Sequence, residues 1–308
     1  NQLSFFNELL KKCIFNGLNS KEESMLNKLS IGAKMALVFS SVFLIMLLSI
    51  GTSIKDMRSG IEDFKTYRDL ARKSVLSGRV QANMLMASRA AGNFLKSRED
   101  QYLDVFKERI TQAKRFAVEQ QDGMDDETRK ALSIDLVHSI EHYRSSSLEV
   151  FKLLKQRDFI LTQRLDPQGI SMRKNLESIM ISAFEDQDAA ASYHAARALT
   201  GVLLGRLYVL KFLDKNKKSN VDRVNKELGK DFEGTLDEIK RNIENPKRKA
   251  LLAEFFADRV IYLEAFADMV ATINARNILI KDEMLPTDQN IAEISEQIKL
   301  SLKDAQDT

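Results

Sequence analysis

The sequence predicts an all-α protein: a six-helix ectodomain arranged as two stacked four-helix bundles, preceded by one transmembrane helix. Three observations support this prediction. The 308 residues include only 12 Gly and 3 Pro, the two residue types that helix interiors tolerate least. Beyond about residue 55 the chain consists of long amphipathic stretches with few interruptions. Residues 35–54 carry no charge and match the length of about 20 residues that a helix needs to cross a bilayer core.

The uncharged segment divides the chain into three parts. Lysines precede it, at Lys11, Lys12, Lys21, Lys28 and Lys34. By the positive-inside rule, the N-terminus then lies in the cytoplasm. We therefore predict a cytoplasmic segment at 1–34, a transmembrane helix at 35–54 and a helical region outside the cytoplasm at 55–308. A buried core helix and a cleaved signal peptide are the alternative interpretations of the same segment.

Composition argues against several functional classes. Forty-seven basic and 44 acidic residues give a net charge of +3, too balanced for a nucleic-acid-binding protein. The single cysteine, Cys13, excludes an intramolecular disulfide and a thiolate metal cluster. His138 and His142 have the i, i+4 spacing of a chelating pair, but no suitable third ligand accompanies them, so we expect no metal and no cofactor. We find no nucleophile–base pair, no paired carboxylates in an apolar cleft and no Gly-rich phosphate loop, and we predict a non-enzymatic protein.

Breaks in the amphipathic pattern place the helices. The pattern predicts helices over 55–97, 99–120, 126–164, 168–214, 218–244 and 249–284, with a final stretch over 287–304. The predicted breaks fall at Asp122-Gly123, Asp166 to Gly169, Asn216 to Asn220, Asn245-Pro246 and Leu285-Pro286. The fourth helix would be roughly 70 Å long. Helices of that length indicate an elongated bundle.

Two halves of the region beyond residue 55 match each other. The segment 78–95 aligns without gaps onto 196–213, at an offset of 118 residues. Four further pairs share an offset of 119 residues: Tyr143 with Tyr262, Arg157 with Arg276, Pro167 with Pro286, and Ile179 with Ile298. Several pairs at almost one offset indicate a duplicated three-helix unit. Two such units can form stacked four-helix bundles if they share long helices.

Three predicted inward-facing stripes each contain one arginine. Spacings of three and four residues mark these stripes, and their arginines are Arg157, Arg206 and Arg276. An arginine inside a bundle is costly unless its charge is paired. It can pair with an acidic side chain, extend its guanidinium to the surface, or bind a carboxylate ligand through bidentate hydrogen bonds. Tyr143 and Tyr262 lie on the same stripes, where we expect core packing with a hydrogen-bonded hydroxyl.

Four short runs resemble the helical bimodular sensor domain of bacterial methyl-accepting chemotaxis proteins. They are GRVQANMLMASR at 78–89, RLYVLKFLDKN at 206–216, LDPQG at 165–169 and DAQD at 304–307. The resemblance covers roughly residues 25–308. It implies a periplasmic sensor in the bacterial inner membrane that works as a homodimer and binds small organic acid anions. It also implies that a region outside this chain contacts the cytoplasmic chemotaxis signalling proteins.

The resemblance further implies that arginines on the first, fourth and sixth helices hold the ligand carboxylates. Carried over residue by residue, these are Arg89, Arg206 and Arg276. The helical wheel places Arg89 beside the inward face, where the position equivalent to Arg206 is Ser88. The candidate ligand-binding residues are therefore Arg206, Arg276, Arg157, Arg89, Tyr262 and Tyr143. The alternative functions are the sensor domain of a membrane histidine kinase and a structural membrane-tethered helical bundle without a ligand.

Overall fold

The computed structural model describes residues 30–307, and these contain helices and short connections without a β-strand. The helices are α1 (Ile31–Ser97), α2 (Asp100–Asp122), α3 (Glu127–Ile160), α4 (Asp166–Glu185), α5 (Ala189–Lys215), α6 (Lys218–Leu228), α7 (Glu233–Asn242), α8 (Pro246–Leu279) and α9 (Leu285–Asp307). π-helical turns join α3 to α4 and α8 to α9 without a break, and Gly229 with a short 3-10 turn links α6 to α7, so the described residues form six helical segments. This confirms the all-α class and the six helices. Cys13, and the predicted cytoplasmic segment up to residue 29, lie outside the described residues.

The chain divides into two compact units, Asn1–Leu70 and Ala71–Thr308. In the first unit, α1 contains a stretch that is long and apolar enough to cross a membrane, and none of that stretch is buried. Large apolar side chains such as Phe39, Leu44 and Leu48 are more than half exposed there. This exposure does not fit the alternative of a buried core helix, and it is compatible with a membrane-spanning segment.

Local side-chain chemistry explains where the helices begin and end. Asp126 precedes α3 and accepts a hydrogen bond from the Arg129 amide at 2.8 Å. Asn245 caps α8 in the same way, with Pro246 in the first helical position. Asn216 ends α5 in the left-handed conformation, with φ of 50°. The breaks predicted near residues 123, 216 and 245 are therefore confirmed.

The predicted helix over 168–214 was wrong at its centre, because the chain breaks at residues 186–188. Gln187 has a φ of 61°, in the left-handed region. Asp188 then accepts a hydrogen bond from the Ala191 amide at 3.1 Å and so caps α5. The acidic and amide side chains of residues 185–188 provide the capping chemistry of a turn between α4 and α5.

The breaks predicted at Pro167 and Pro286 were also wrong, because both helices continue. A proline lacks an amide hydrogen, and its ring collides with the carbonyl four residues earlier. A π-helical turn precedes each proline, at Leu161–Leu165 and at Ile280–Met284, and its wider hydrogen-bonding pattern accommodates the ring. The two π turns begin 119 residues apart, at the offset found in the sequence repeat.

In the second unit the helices pack in two groups. The first helix group contains α1 from Ala71 onward, α2, α3 and α9, and the second helix group contains α4 to α8. Within the second group, α5 packs against α4, α6 and α7, while α8 packs against α4. In the first group, α3 packs against α2 and α9. Contacts between α3 and α8 connect the groups, in addition to the two continuous helices α3–α4 and α8–α9.

Each group buries its own apolar core. In the first group Phe151 lies between two aromatic partners, with ring centroids 4.8 Å from Phe94 and 5.1 Å from Phe106. Both contacts have the edge-to-face geometry that aromatic pairs prefer. In the second group Phe212 and Phe266 make a similar contact at 5.8 Å. Small residues let the helices approach closely: a Cβ atom on Gly201 of α5 would lie 2.5 Å from the Phe232 ring.

Replacing Gly201 with alanine is therefore expected to destabilise the protein, although alanine favours helix. We expect Gly201→Ala to lower the free energy of unfolding by about 1–3 kcal/mol, because the added methyl overpacks the contact with Phe232. Gly92 of α1 is the matched control, since a Cβ there meets nothing within 4 Å. Gly92→Ala should raise stability by up to about 1 kcal/mol. Urea denaturation followed by circular dichroism measures both, and equal effects of the two substitutions would contradict the close contact.

Candidate functional site

The structure places the six predicted site residues in different parts of the second unit. Arg206 and Tyr262 lie together in the second helix group, and Arg157 lies near Arg276 where α3 and α8 meet. Tyr143 is buried in the first helix group, and Arg89 is exposed on α1. The exposure of Arg89 agrees with the helical wheel, which points Ser88 inward and its neighbour outward.

Arg206 sits in a space that a glycine leaves open. Its side chain, on α5, passes over Gly169 of α4, where an added Cβ would lie 2.8 Å from the Arg206 Nε atom. The same Cβ would lie 3.2 Å from Cε2 of Tyr262, which is buried on α8. Three helices therefore bring the guanidinium, a glycine backbone and a phenol together. Any side chain at position 169 would displace the arginine.

Arg206 is half-buried, and among the described residues no hydrogen bond and no ion pair within 4.0 Å involves its guanidinium. Burial raises the pKa of the Tyr262 hydroxyl above its ordinary value, the positive charge of Arg206 opposes this rise, and the exposed Asp166 adds to it. The phenol therefore stays protonated and can donate a hydrogen bond. A guanidinium beside a phenolic donor can bind a carboxylate through several hydrogen bonds.

A second group of arginines, which we call the arginine trio, consists of Arg98, Arg157 and Arg276. Asp158 is their acidic neighbour: its two oxygens lie 2.5 Å from Nη1 of Arg157 and 3.1 Å from Nε of Arg98. Burial lowers the pKa of Arg276 below its ordinary value, and the charges of Arg157 and Arg98 lower it further. Three guanidinium groups around one carboxylate leave a positive excess that favours an anion.

Sequence reasoning missed Arg98, because it lies in the short connection between α1 and α2. Its φ of 63° was not detectable from the helical periodicity.

Arg206 and the trio cannot hold one small ligand together. Arg276 follows Tyr262 by fourteen residues on α8, which corresponds to about 21 Å along the helix axis. Gly169 lies twelve residues beyond Arg157 on the continuous α3–α4 helix, or about 18 Å. The expectation that Arg206, Arg276 and Arg157 all contact the ligand therefore requires two separate binding places.

Tyr143 belongs to a third place, beside Ser88 of α1 and Asp288 of α9. Burial raises the pKa of Tyr143 to about 12, the Asp288 charge adds to this effect, and the Ser88 and Ser147 hydroxyls oppose it. The Ser88 hydroxyl donates a hydrogen bond to Asp288 at 2.9 Å. No arginine takes part here. The nearest histidine of the predicted pair, His142, lies 3.0 Å from the Thr287 hydroxyl through Nδ1.

Two buried arginines that the periodicity did not single out have structural partners. Arg248 contacts Asp186, Asp188 and Ser182 and ties the start of α8 to the turn before α5. Arg259 donates hydrogen bonds to the backbone oxygens of Leu228 and Gly229, at 2.7 and 3.1 Å. It also pairs with Glu233 at 2.8 Å. These contacts distinguish a structural arginine from Arg206.

A cavity of about 770 Å³ lies between α6 and α8. Apolar residues such as Val221 and Phe266 line much of it, together with polar and charged side chains that include Asp222, Asn225, Lys226, Lys230, Asp231 and Asn274. None of the six predicted site residues lines this cavity. Its charged side chains carry both signs, so they do not favour an anion as Arg206 does, and we place the candidate site at Arg206.

No protein-family model matches the chain, and no curated protein matches it significantly. We therefore infer function from the geometry of the site.

Arg259 has hydrogen-bond and ion-pair partners, whereas Arg206 has none among the described residues. Substitution of the two arginines should therefore affect stability differently. Arg259→Met should lower the free energy of unfolding by about 2 kcal/mol, because it removes the side-chain donor to the buried Leu228 carbonyl oxygen and the ion-pair partner of Glu233. Arg206→Met should leave stability within about 0.5 kcal/mol or raise it, because an apolar side chain replaces an unpaired charge. Urea denaturation of both variants without ligand tests this contrast. A large loss in Arg206→Met would mean that Arg206 has a structural role.

Proposed function

We propose that this chain is the ligand-sensing part of a bacterial chemoreceptor and binds a small organic acid anion at Arg206. The observation that carries this proposal is the half-buried Arg206, which lies over Gly169 beside Tyr262 and has no ion-pair partner within 4.0 Å among the described residues. A bound carboxylate would accept two hydrogen bonds from the guanidinium and a third from the phenol.

The architecture that we propose is bimodular. The first and second helix groups would each form a four-helix bundle, stacked so that α3–α4 and α8–α9 run through both. This arrangement is supported by the two π turns, which keep both long helices unbroken between the groups.

The arrangement provides a route for a signal. A ligand at Arg206 would draw α5 toward α4 and α8, and α8 continues into α9. Within the first group two hydrogen bonds connect α1 to α9. Ser88 donates one to Asp288, and Gln81 donates the other to Glu296 at 3.2 Å. A displacement of about 1–2 Å along α9 would be sufficient in comparable switches. We propose that a homodimer in the inner membrane, with the sensor in the periplasm, passes this displacement to cytoplasmic chemotaxis proteins.

A screen of small carboxylates against the full chain in lipid nanodiscs tests the anion site. We expect at least one of acetate, succinate, malate and citrate to raise the melting temperature. A ligand at one hundred times its Kd stabilises the folded state by about 2.7 kcal/mol. In Arg206→Lys the Kd should rise at least tenfold, because an ammonium group cannot form the bidentate contact.

Arg197→Lys is the matched control on the same helix. Arg197 is exposed and pairs with Glu238 at 2.6 Å, so its substitution should leave the Kd unchanged. Loss of binding in Arg276→Lys but not in Arg206→Lys would move the ligand to the arginine trio. No stabilisation by any carboxylate of the panel would contradict the proposed function and favour a structural bundle.

A further inference from the structure

The internal repeat relates the Arg206 site to a second site with the opposite charge. At the offset of 118 residues Arg206 corresponds to Ser88, and at 119 residues Gly169 corresponds to Asp288. Tyr262 corresponds to Tyr143. In the second helix group a long cation thus lies opposite a glycine. In the first helix group a small hydroxyl residue lies opposite an acidic one.

A cavity of about 300 Å³ lies beside Asp288, between α1 and α9. Its polar groups are Gln81 and Ser88 on α1, and Asp288 and Ser295 on α9. Ser295 is only 1% exposed, and its hydroxyl oxygen has no hydrogen-bond partner among the described residues. A buried polar atom of this kind is costly unless something hydrogen-bonds to it. Apolar side chains complete the lining, at Met84, Leu85, Ile291 and Ala292.

The Asp288 carboxylate has no positive partner in the part of the chain that the structure describes. It accepts a hydrogen bond from Ser88, and no lysine, arginine or histidine lies within 4.0 Å of it. Burial raises the pKa of this carboxyl above its ordinary value, and the Ser88 hydrogen bond opposes the rise. A cation placed in the cavity would restore the electrostatic stabilisation that burial removes.

We propose that this cavity binds a small organic ammonium ion. The ammonium group would donate hydrogen bonds to Asp288 and to the unpartnered Ser295 hydroxyl, and its alkyl part would contact Ile291 and Met84. A carboxylate ligand would be repelled by Asp288. A metal ion such as Ca²⁺ would lack ligands, since it takes 6–8 oxygen atoms and the cavity offers one carboxylate. The proposal is independent of anion binding at Arg206.

Isothermal titration of the full chain in nanodiscs with butylammonium tests the proposal, with ethanolammonium as a second probe. We expect at least one of these two cations to bind. Asp288→Asn keeps the size of the side chain and should raise the Kd at least tenfold. Glu293→Gln removes an exposed carboxylate from the same helix and should not change it. Arg206→Lys should not change it either, which separates this site from the proposed anion site.

A second variant keeps the test decisive if Asp288→Asn folds poorly. Ala292→Phe fills the cavity from its exposed rim and keeps Asp288 in the chain, and it should abolish ammonium binding. Butanoate, which has the same number of carbon atoms as butylammonium and the opposite charge, should not compete. Absence of binding by both butylammonium and ethanolammonium up to millimolar concentration would overturn the proposal. Binding that survives both Asp288→Asn and Ala292→Phe would also overturn it.

Discussion

Burial of charge in a helical core constrains the whole molecule, because an ion that loses its hydration must gain an opposite charge or keep some contact with solvent. Arg248 and Arg259 meet this requirement with carboxylates and backbone oxygens, and they fasten the turns of the second helix group. Arg206 and Asp288 meet it only by remaining half-buried. Among the described residues, helix packing therefore leaves Arg206 in the second helix group and Asp288 in the first without an oppositely charged side chain within 4.0 Å. A soluble ion of opposite charge would gain from binding at either position.

The two long helices are continuous because a π turn accommodates the proline in each of them. The hydrophobic periodicity of the sequence does not reveal this turn. Pro167 and Pro286 would each end an ordinary α-helix, but a preceding π turn moves the conflicting carbonyl group away. A break at these positions would have turned each long helix into two independently docked segments. With the helices unbroken, a movement of α8 would reach α9 through a continuous hydrogen-bonded helix rather than through a flexible loop.

The sequence was sufficient to predict features with a local cause, such as the Asn245-Pro246 start of α8 and the inward position of Arg206. The capped turn around Gln187 was missed, because the apolar pattern continues almost in register on both sides. Arg259 was missed for a different reason: its partners Leu228 and Gly229 are backbone oxygens about 30 residues away, which no spacing rule records. The role of Gly169 required the tertiary structure, since only its distance to Arg206 explains it.

The two charged sites differ in the size of the facing residues as well as in charge. A large arginine faces a glycine in one site, and a small serine faces an aspartate in the other. A Cβ at position 169 would lie 2.8 Å from Arg206, so an arginine on α5 needs a glycine on α4. Where the repeat places Asp288, the facing residue is the small Ser88, which accommodates the carboxylate through a hydrogen bond. Tyr143 and Gly169 are 26 residues apart on α3–α4, or about 39 Å, so no small zwitterion can bridge the two sites. Ligands of opposite charge would therefore bind separately and influence each other only through the shared helices.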